Sequence, residues 1–290
     1  MSSSRRPSEF KSPEDFRSSL EAYLQKQAVL HHKELQRYRR EVAFERLLAR
    51  LFAVDNSPFV LKGGCAMELR LEIARSTRDM DLVVLEEFLT EADLLHQELS
   101  RFAAQDMEDG FTFTIERMKF PLTTTLKGGG RFPVTCKIGR RPFINFTVDV
   151  ALGEPIVTPV AWEEVPGKLS PFQLPSFRCR MISREQQFAE KIHAYASLRH
   201  GEQNGRTKDL VDLYLLIEEE KLDGAHLRKS LDQVFAMRDG QSPPSALASP
   251  PDSWAGRFSH MAEEVGLSCT MESAYERVAE YYDTLQVVTV

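Results

Sequence analysis

Phe59-Val-Leu-Lys-Gly-Gly-Cys-Ala-Met67, followed closely by Arg78-Asp-Met-Asp-Leu-Val-Val84, is the stretch on which the reading of the fold turns. An apolar run ends in Lys62-Gly63-Gly64, a helix-length segment follows, and two aspartates two apart head a second apolar run. On a strand, residues two apart share a face, with side chains ~7 Å apart along the backbone. Asp79 and Asp81 thus offer paired carboxylates, a fitting site for Mg²⁺, which takes a few carboxylates together with phosphate oxygens. A glycine pair at a strand-to-helix turn leaves backbone N–H groups to face a phosphate. Phosphate cradle and metal carboxylates together are the equipment of phosphoryl or nucleotidyl transfer. Gly-Gly alone is an ordinary tight turn, and acids at a strand start commonly face solvent. It is the order strand, Gly-Gly, helix, Asp-x-Asp strand that carries information. Thr77 and Arg78 stand just before the acids, where a hydroxyl and a guanidinium could meet phosphate oxygens; a plain surface role suits them equally.

Working outward, residues 1–12 are Ser-, Arg- and Pro-rich and read as disordered. Ser12-Pro13-Glu14-Asp15 is a helix start, with a cap, proline in the first turn and acids at the positive end. Helices are expected over about 13–34 and 36–54, the second with arginines on the face away from its apolar stripe. Phe59–Leu61 reads as a buried strand, 64–74 as a helix, 79–85 as the carboxylate strand and 86–107 as helical. From 111 to 150 the pattern turns to period two, with Lys127-Gly-Gly-Gly-Arg131 as a flexible turn. Proline-rich irregular chain is expected over 155–175, then helices at about 183–199, 205–220, 223–237, 252–265 and 271–286, with a Ser/Pro linker from Ser242 to Pro251. The layout is α+β: a mixed-sheet core over 13–155 and a mainly helical C-terminal lobe over 156–290.

At 290 residues with 42% hydrophobic composition the chain can bury a sizeable core. It holds no eighteen-residue apolar run and opens on a polar segment, so neither a membrane span nor a secretory signal is expected. Cys65, Cys136, Cys179 and Cys269 lie far apart without metal-ligand spacing and read as free thiols of a cytoplasmic protein. The net charge of −6 gives no global nucleic-acid signature. Basic residues nonetheless cluster at Arg37, Arg39 and Arg40; at Lys137, Arg140 and Arg141; at Arg178, Arg180 and Arg184; and at Arg199, Arg206 and Lys208. Each cluster is either a solvated face or part of a nucleotide or RNA groove.

Three further positions bear on the chemistry. Asp149 lies late in a period-two strand, sharing a face with Asn145 and Thr147; two-metal nucleotidyl transfer uses a third carboxylate on a neighbouring strand. Its plain reading is a polar residue on an open sheet face. Lys191 falls inside the apolar stripe of its helix, between Phe188 and Leu198, and a lysine there snorkels out or meets an anion. That anion is either a substrate triphosphate or a carboxylate such as Asp209. Asp209 and Asp212, three apart near a helix start, share one side of a largely apolar helix, where a structural cap is the plain reading.

Leu61-Lys-Gly-Gly-Cys-Ala with Arg75-Ser-Thr-Arg-Asp-Met-Asp-Leu resembles the first motif of the AbiEii/AbiGii-type nucleotidyltransferase toxins, within the DNA polymerase beta-like superfamily. Phe188-Ala-Glu-Lys-Ile-His-Ala resembles their lysine motif, Arg206-Thr-Lys-Asp-Leu-Val-Asp-Leu-Tyr their later aspartate motif, and Pro250-Pro-Asp-Ser-Trp-Ala-Gly-Arg-Phe their C-terminal region. The resemblance runs from about 40 to 285. It implies a nucleotidyltransferase-fold sheet, a helical lobe, and a toxin of a type IV-like toxin–antitoxin pair. The resemblance implies use of a nucleoside triphosphate and Mg²⁺ (or Mn²⁺), with the tRNA 3′ end, which some members extend, as the expected acceptor, and a monomer with a cognate antitoxin. Carried over, Gly63 and Gly64 hold the phosphates; Lys62 beside them, and Thr77 and Arg78 before the acids, are expected to add phosphate contacts from their positions alone. Asp79 and Asp81 bind metal, joined by Asp149 on the geometric inference above, and Lys191 and Asp209 complete the site, Lys191 against the triphosphate. Two other readings remain: the same transfer to a small-molecule or protein hydroxyl, and a non-catalytic binder of RNA or a partner protein.

Overall fold

The computed structural model describes residues 5–71, 73–85, 94–122, 127–157, 159–197, 206–219 and 221–286. The chain divides into two units: Met1–Cys65, Ser76–Glu154 and Ala161–Met181 form the first, and Ala66–Arg75, Pro155–Val160 and Ile182–Val290 the second.

The first unit is built on one mixed sheet. Its strands are β1 (Phe59–Lys62), β2 (Asp79–Val84), β3 (Phe111–Ile115), β4 (Phe120–Pro121), β5 (Gly129–Ile138), β6 (Arg141–Ala151), β7 (Ala161–Val165) and β8 (Phe177–Met181). They are ordered β3-β5-β6-β2-β1-β8-β7, with β4 pairing β5. β2 runs parallel to β6 and antiparallel to β1, while β5 and β6 pair antiparallel. The helices α1 (Pro13–Leu30), α2 (Leu35–Leu51) and α4 (Leu95–Ala103) belong to this unit; α3 (Gly63–Arg70) begins in it and continues into the other. Ser12 caps α1 by accepting from the Asp15 N–H at 3.1 Å, and Phe16, Leu20, Leu24 and Ala28 make its buried stripe. Phe44 of α2 meets Phe146 of β6 with ring centroids 4.9 Å apart. Alternation therefore turns Phe146, Val148 and Val150 toward α2, and Thr147 and Asp149 to the opposite face.

Several expectations are corrected. Phe10 packs on Phe16 and Phe172, so the part of 1–12 that is described folds onto the core. The expected helix over 86–107 is seen as α4; residues 86–93 lie outside the described residues. Gly129 and Gly130 are not a turn but the start of β5. A Cβ on Gly129 would come within 2.3 Å of the Val150 carbonyl oxygen, an approach only glycine allows. Over 155–175 the chain is not all irregular, because β7 forms and pairs with β8 at the end of the sheet. The arginines of α2 do not all face solvent. Arg46 and Arg50 are buried with Asp109, at 2.7 and 2.6 Å, because the loop into β3 brings that carboxylate in. Arg37 is paired with Glu41 and Arg39 with Glu21, while Arg178 and Arg180 lie over the Trp162 ring, so much of the clustered basic charge serves the fold.

The second unit is helical, with α5 (Arg184–Ala196), α6 (Thr207–Glu219), α7 (Gly224–Asp239), α8 (Ala255–Glu264) and α9 (Met271–Gln286). Phe188, Leu210, Leu213, Leu231, Trp254, Phe258 and Tyr282 are among its fully buried core. The expected 242–251 linker is held in place: the hydroxyls of Tyr195, Tyr275 and Tyr282 donate to the carbonyls of Ala248, Leu247 and Pro244 at 2.7, 2.8 and 2.7 Å. Among the described residues no helix is long and apolar enough to cross a membrane. The four cysteines are free, three of them buried.

Candidate active site

The acids of the first unit lie in a row across the sheet. Lys62 of β1 is the Cα partner of Asp81 of β2, Asp81 that of Asp149 of β6, and Asp149 that of Arg131 of β5. Directly paired residues project to one face, so the row reads cation, acid, acid, cation over four neighbouring strands. Asp149 was expected on a strand neighbouring the acid pair, and the parallel pairing of β6 with β2 sets it directly beside Asp81.

Each member has a defined environment. Gly63, the first residue of α3, has φ of +69°, and a Cβ built there would stand 2.1 Å from Asp81 Oδ2. The Asp81 carboxylate thus lies against the glycine corner. Asp79 accepts a short hydrogen bond from the Thr147 hydroxyl. Arg131 grips Asp149 with two parallel bonds, Nε to Oδ1 at 2.7 Å and Nη2 to Oδ2 at 2.6 Å. That hydrogen bonding, with the charges of Asp149, Asp79 and Asp81 behind it, holds the Arg131 guanidinium above its usual range. Lys62 pairs with Glu154 at 3.4 Å. The Thr77 hydroxyl donates to the Asp79 carbonyl at 3.3 Å, and its own carbonyl accepts from Arg40, so Thr77 shapes the turn into β2. Arg78 is exposed. Sequence reasoning missed Arg131; the signal it left was its place two residues inside a strand that opens on glycines.

Two facing carboxylates repel unless cations stand between or beside them. Asp79 and Asp81 suit a hard divalent ion that takes one or two carboxylates and fills its shell with phosphate oxygens and water. Among the described residues no group of three or more His, Cys, Asp or Glu forms a ready-made metal cage. Both Asp149 oxygens are held by Arg131, so a metal would have to compete with that guanidinium for them.

In the second unit Lys191 on α5 meets Asp209 at 3.0 Å and Asp212 at 2.7 Å, both on α6. Arg75 clamps Asp212 with two 2.8 Å bonds, and Arg206 lies 3.4 Å from Asp209. Burial alone pulls the Lys191 ammonium down, but Asp212 and Asp209 outweigh it and set the group above its ordinary range. Burial likewise pushes the Asp212 carboxyl up, and Lys191 with Arg75 overcomes it and leaves the carboxyl below the usual range. Lys191 thus meets carboxylates, one of the two kinds of anion the sequence leaves open to it. Asp209 and Asp212 are thus its ion-pair partners rather than simple helix caps.

A mixed sheet carrying an acid pair against a glycine corner is the framework of a phosphate-handling transferase. Residues 46–281 match the family described as nucleotidyl transferase AbiEii toxin, Type IV TA system. The chain belongs to that family, and with it to the nucleotidyltransferase toxins of type IV toxin–antitoxin systems, which implies an antitoxin partner. Among solved structures it is similar to a protein from H. pylori assigned to the nucleotidyltransferases, at 15% identity, 89% of this chain, 99% of that one and a TM-score of 0.49. It is also similar to JHP933 from Helicobacter pylori, at 16% identity, 87% and 97% coverage and a TM-score of 0.46. Both likenesses are too loose to carry an argument. No curated protein matches the chain.

Proposed function

We propose that this toxin transfers a nucleoside monophosphate from a nucleoside triphosphate to the 3′-hydroxyl of an RNA, the tRNA acceptor end, and so blocks translation in the cytoplasm. The observation that carries the reading is the Asp81 carboxylate lying against Gly63 and facing Asp149 across the β2–β6 pair. The backbone N–H groups at Gly63 and Gly64 receive the β- and γ-phosphates, with Lys62, Thr77 and Arg78 on the approach. Asp79 and Asp81 hold Mg²⁺, which when bound neutralises charge on the phosphates and favours the ionised acceptor hydroxyl. The hydroxyl oxygen bonds to the α-phosphorus, the bond from that phosphorus to the β-phosphate oxygen breaks, and pyrophosphate leaves. Asp149, once freed from Arg131, would hold the metal with Asp79 and Asp81 and draw the proton off the attacking hydroxyl.

The test is incubation of the monomeric toxin with total tRNA and each labelled triphosphate, followed by sequencing of 3′ ends. Labelled tRNA with wild-type protein and none with Asp81→Ala supports the reading. Label in protein or in a small molecule, with tRNA untouched, moves the acceptor elsewhere. Label unchanged by Asp81→Ala removes the proposal.

A further inference from the structure

The row of paired residues does not stop at Arg131. Phe120 of β4 is the Cα partner of Arg131, so the sequence across five strands is Lys62, Asp81, Asp149, Arg131, Phe120. Phe120 is 55% exposed, an open aromatic ring on the same sheet face as the acids. At a strand spacing of about 4.8 Å it stands roughly 10 Å from Asp149. Lys119 Nζ lies 5.6 Å from the ring centroid, and Arg117 and Lys119 are exposed on the chain leading into β4. An exposed aromatic face with cations close by in the chain is the equipment that holds an unpaired nucleobase and its phosphates.

Which nucleobase follows from the direction of the reaction. The glycine corner that receives the departing pyrophosphate lies at the β1 end of the row, on the far side of the acids from Phe120. In an in-line displacement the attacking and leaving oxygens stand on opposite sides of the phosphorus. The attacking hydroxyl therefore comes from the Asp149 side, and its nucleotide reaches toward Arg131 and Phe120. We propose that Phe120 is the stacking platform for an unpaired base at the 3′ end of the acceptor RNA, with Lys119 and Arg117 on its phosphates. This rests on the RNA-directed reading above and adds to it the place and the residue that hold the acceptor strand.

The experiment uses the full chain and two fluorescent hairpin RNAs, one with a short unpaired 3′ tail and one blunt. Binding is read by anisotropy without triphosphate or metal, so the result does not depend on turnover. Wild-type protein should bind the tailed hairpin more tightly than the blunt one. Phe120→Ala should weaken the tailed complex by about tenfold, the loss of one stacked base. Phe120→Trp should restore it and Phe120→Leu should not, since an apolar side chain without a π-face cannot stack. In transfer assays Phe120→Ala should raise the KM for RNA and leave the KM for triphosphate unchanged. Equal binding of the two hairpins, or unaltered RNA affinity in Phe120→Ala, overturns the inference. A raised triphosphate KM alone reassigns the ring to the incoming base and overturns it too. If wild type transfers to tRNA while Phe120→Ala is indistinguishable from it, the inference fails and the proposed reaction survives. If wild type binds the tailed hairpin but labels no RNA, the proposed reaction fails instead.

Discussion

Gly63 concentrates the demands of the site on a single residue. Its φ of +69° disfavours any L side chain by about 1–2 kcal/mol. A methyl group would also collide with the Asp81 carboxylate, whose oxygen stands 2.1 Å from the Cβ position. Gly63→Ala should therefore displace Asp81 and abolish transfer while lowering the melting temperature by only a few degrees. A variant that keeps wild-type rate would show that the contact is idle. Arg131 makes a separate prediction. Its guanidinium competes with any metal for both Asp149 oxygens. Arg131→Gln should lower the Mg²⁺ concentration needed for half-maximal rate; an unchanged Mg²⁺ curve would remove Asp149 from the ligand set. Because Arg131 is 40% exposed at its side chain, little stability should go with it.

Among the elements, α2 shows what periodicity can and cannot say. Its apolar spacing places Val42, Phe44, Leu47, Leu48 and Leu51 in the core, and all five are buried. The same pattern puts Arg46 and Arg50 on the polar side, yet both are buried. Asp109 accepts from the two guanidiniums and from the Phe111 N–H, and Arg50 also donates to the Phe111 carbonyl. A partner 59 residues away in sequence leaves no local trace. Asp109→Asn should cost about 3–5 kcal/mol, since it strands two buried cations. Urea unfolding should show the midpoint fall at unchanged slope. A loss below about 1 kcal/mol would mean that water reaches the pair.

Across the whole molecule, buried ion pairs make a contribution to stability that depends on pH. Burial raises the Asp109 and Asp212 carboxyls, but their arginine and lysine partners overcome it and depress both below their unfolded values. Their stabilisation is fully present above the unfolded carboxylate value near pH 4 and is lost as pH falls through the lower folded values. Lys191 is raised, so its share is fully present below the unfolded value near pH 10.4 and is lost as pH rises through the folded one. The contribution of these pairs should be flat between about pH 5 and 9 and fall steeply under pH 4, read by thermal melts across a pH series. In Asp212→Asn the acid limb should be shallower and the plateau lower; an unaltered acid limb would deny Asp212 its share.

The sequence by itself determined most of the helices, the strands β1 and β2 and the period-two stretch from 111 to 150, that Gly63 makes a corner, that Asp79 and Asp81 share a face, and that Lys191 sits inside an apolar stripe. These follow from the periods of helix and strand and from the conformational range of glycine, all local properties. Only the tertiary structure decided that β6 lies parallel beside β2, that Arg131 and Phe120 extend the row, that β7 and β8 rejoin the sheet, and that Asp209 and Asp212 satisfy Lys191. A strand's alternation says which way its side chains point but not which strand lies next to it. That choice is made by hydrogen-bond registry and burial over distances along the chain that no local pattern encodes.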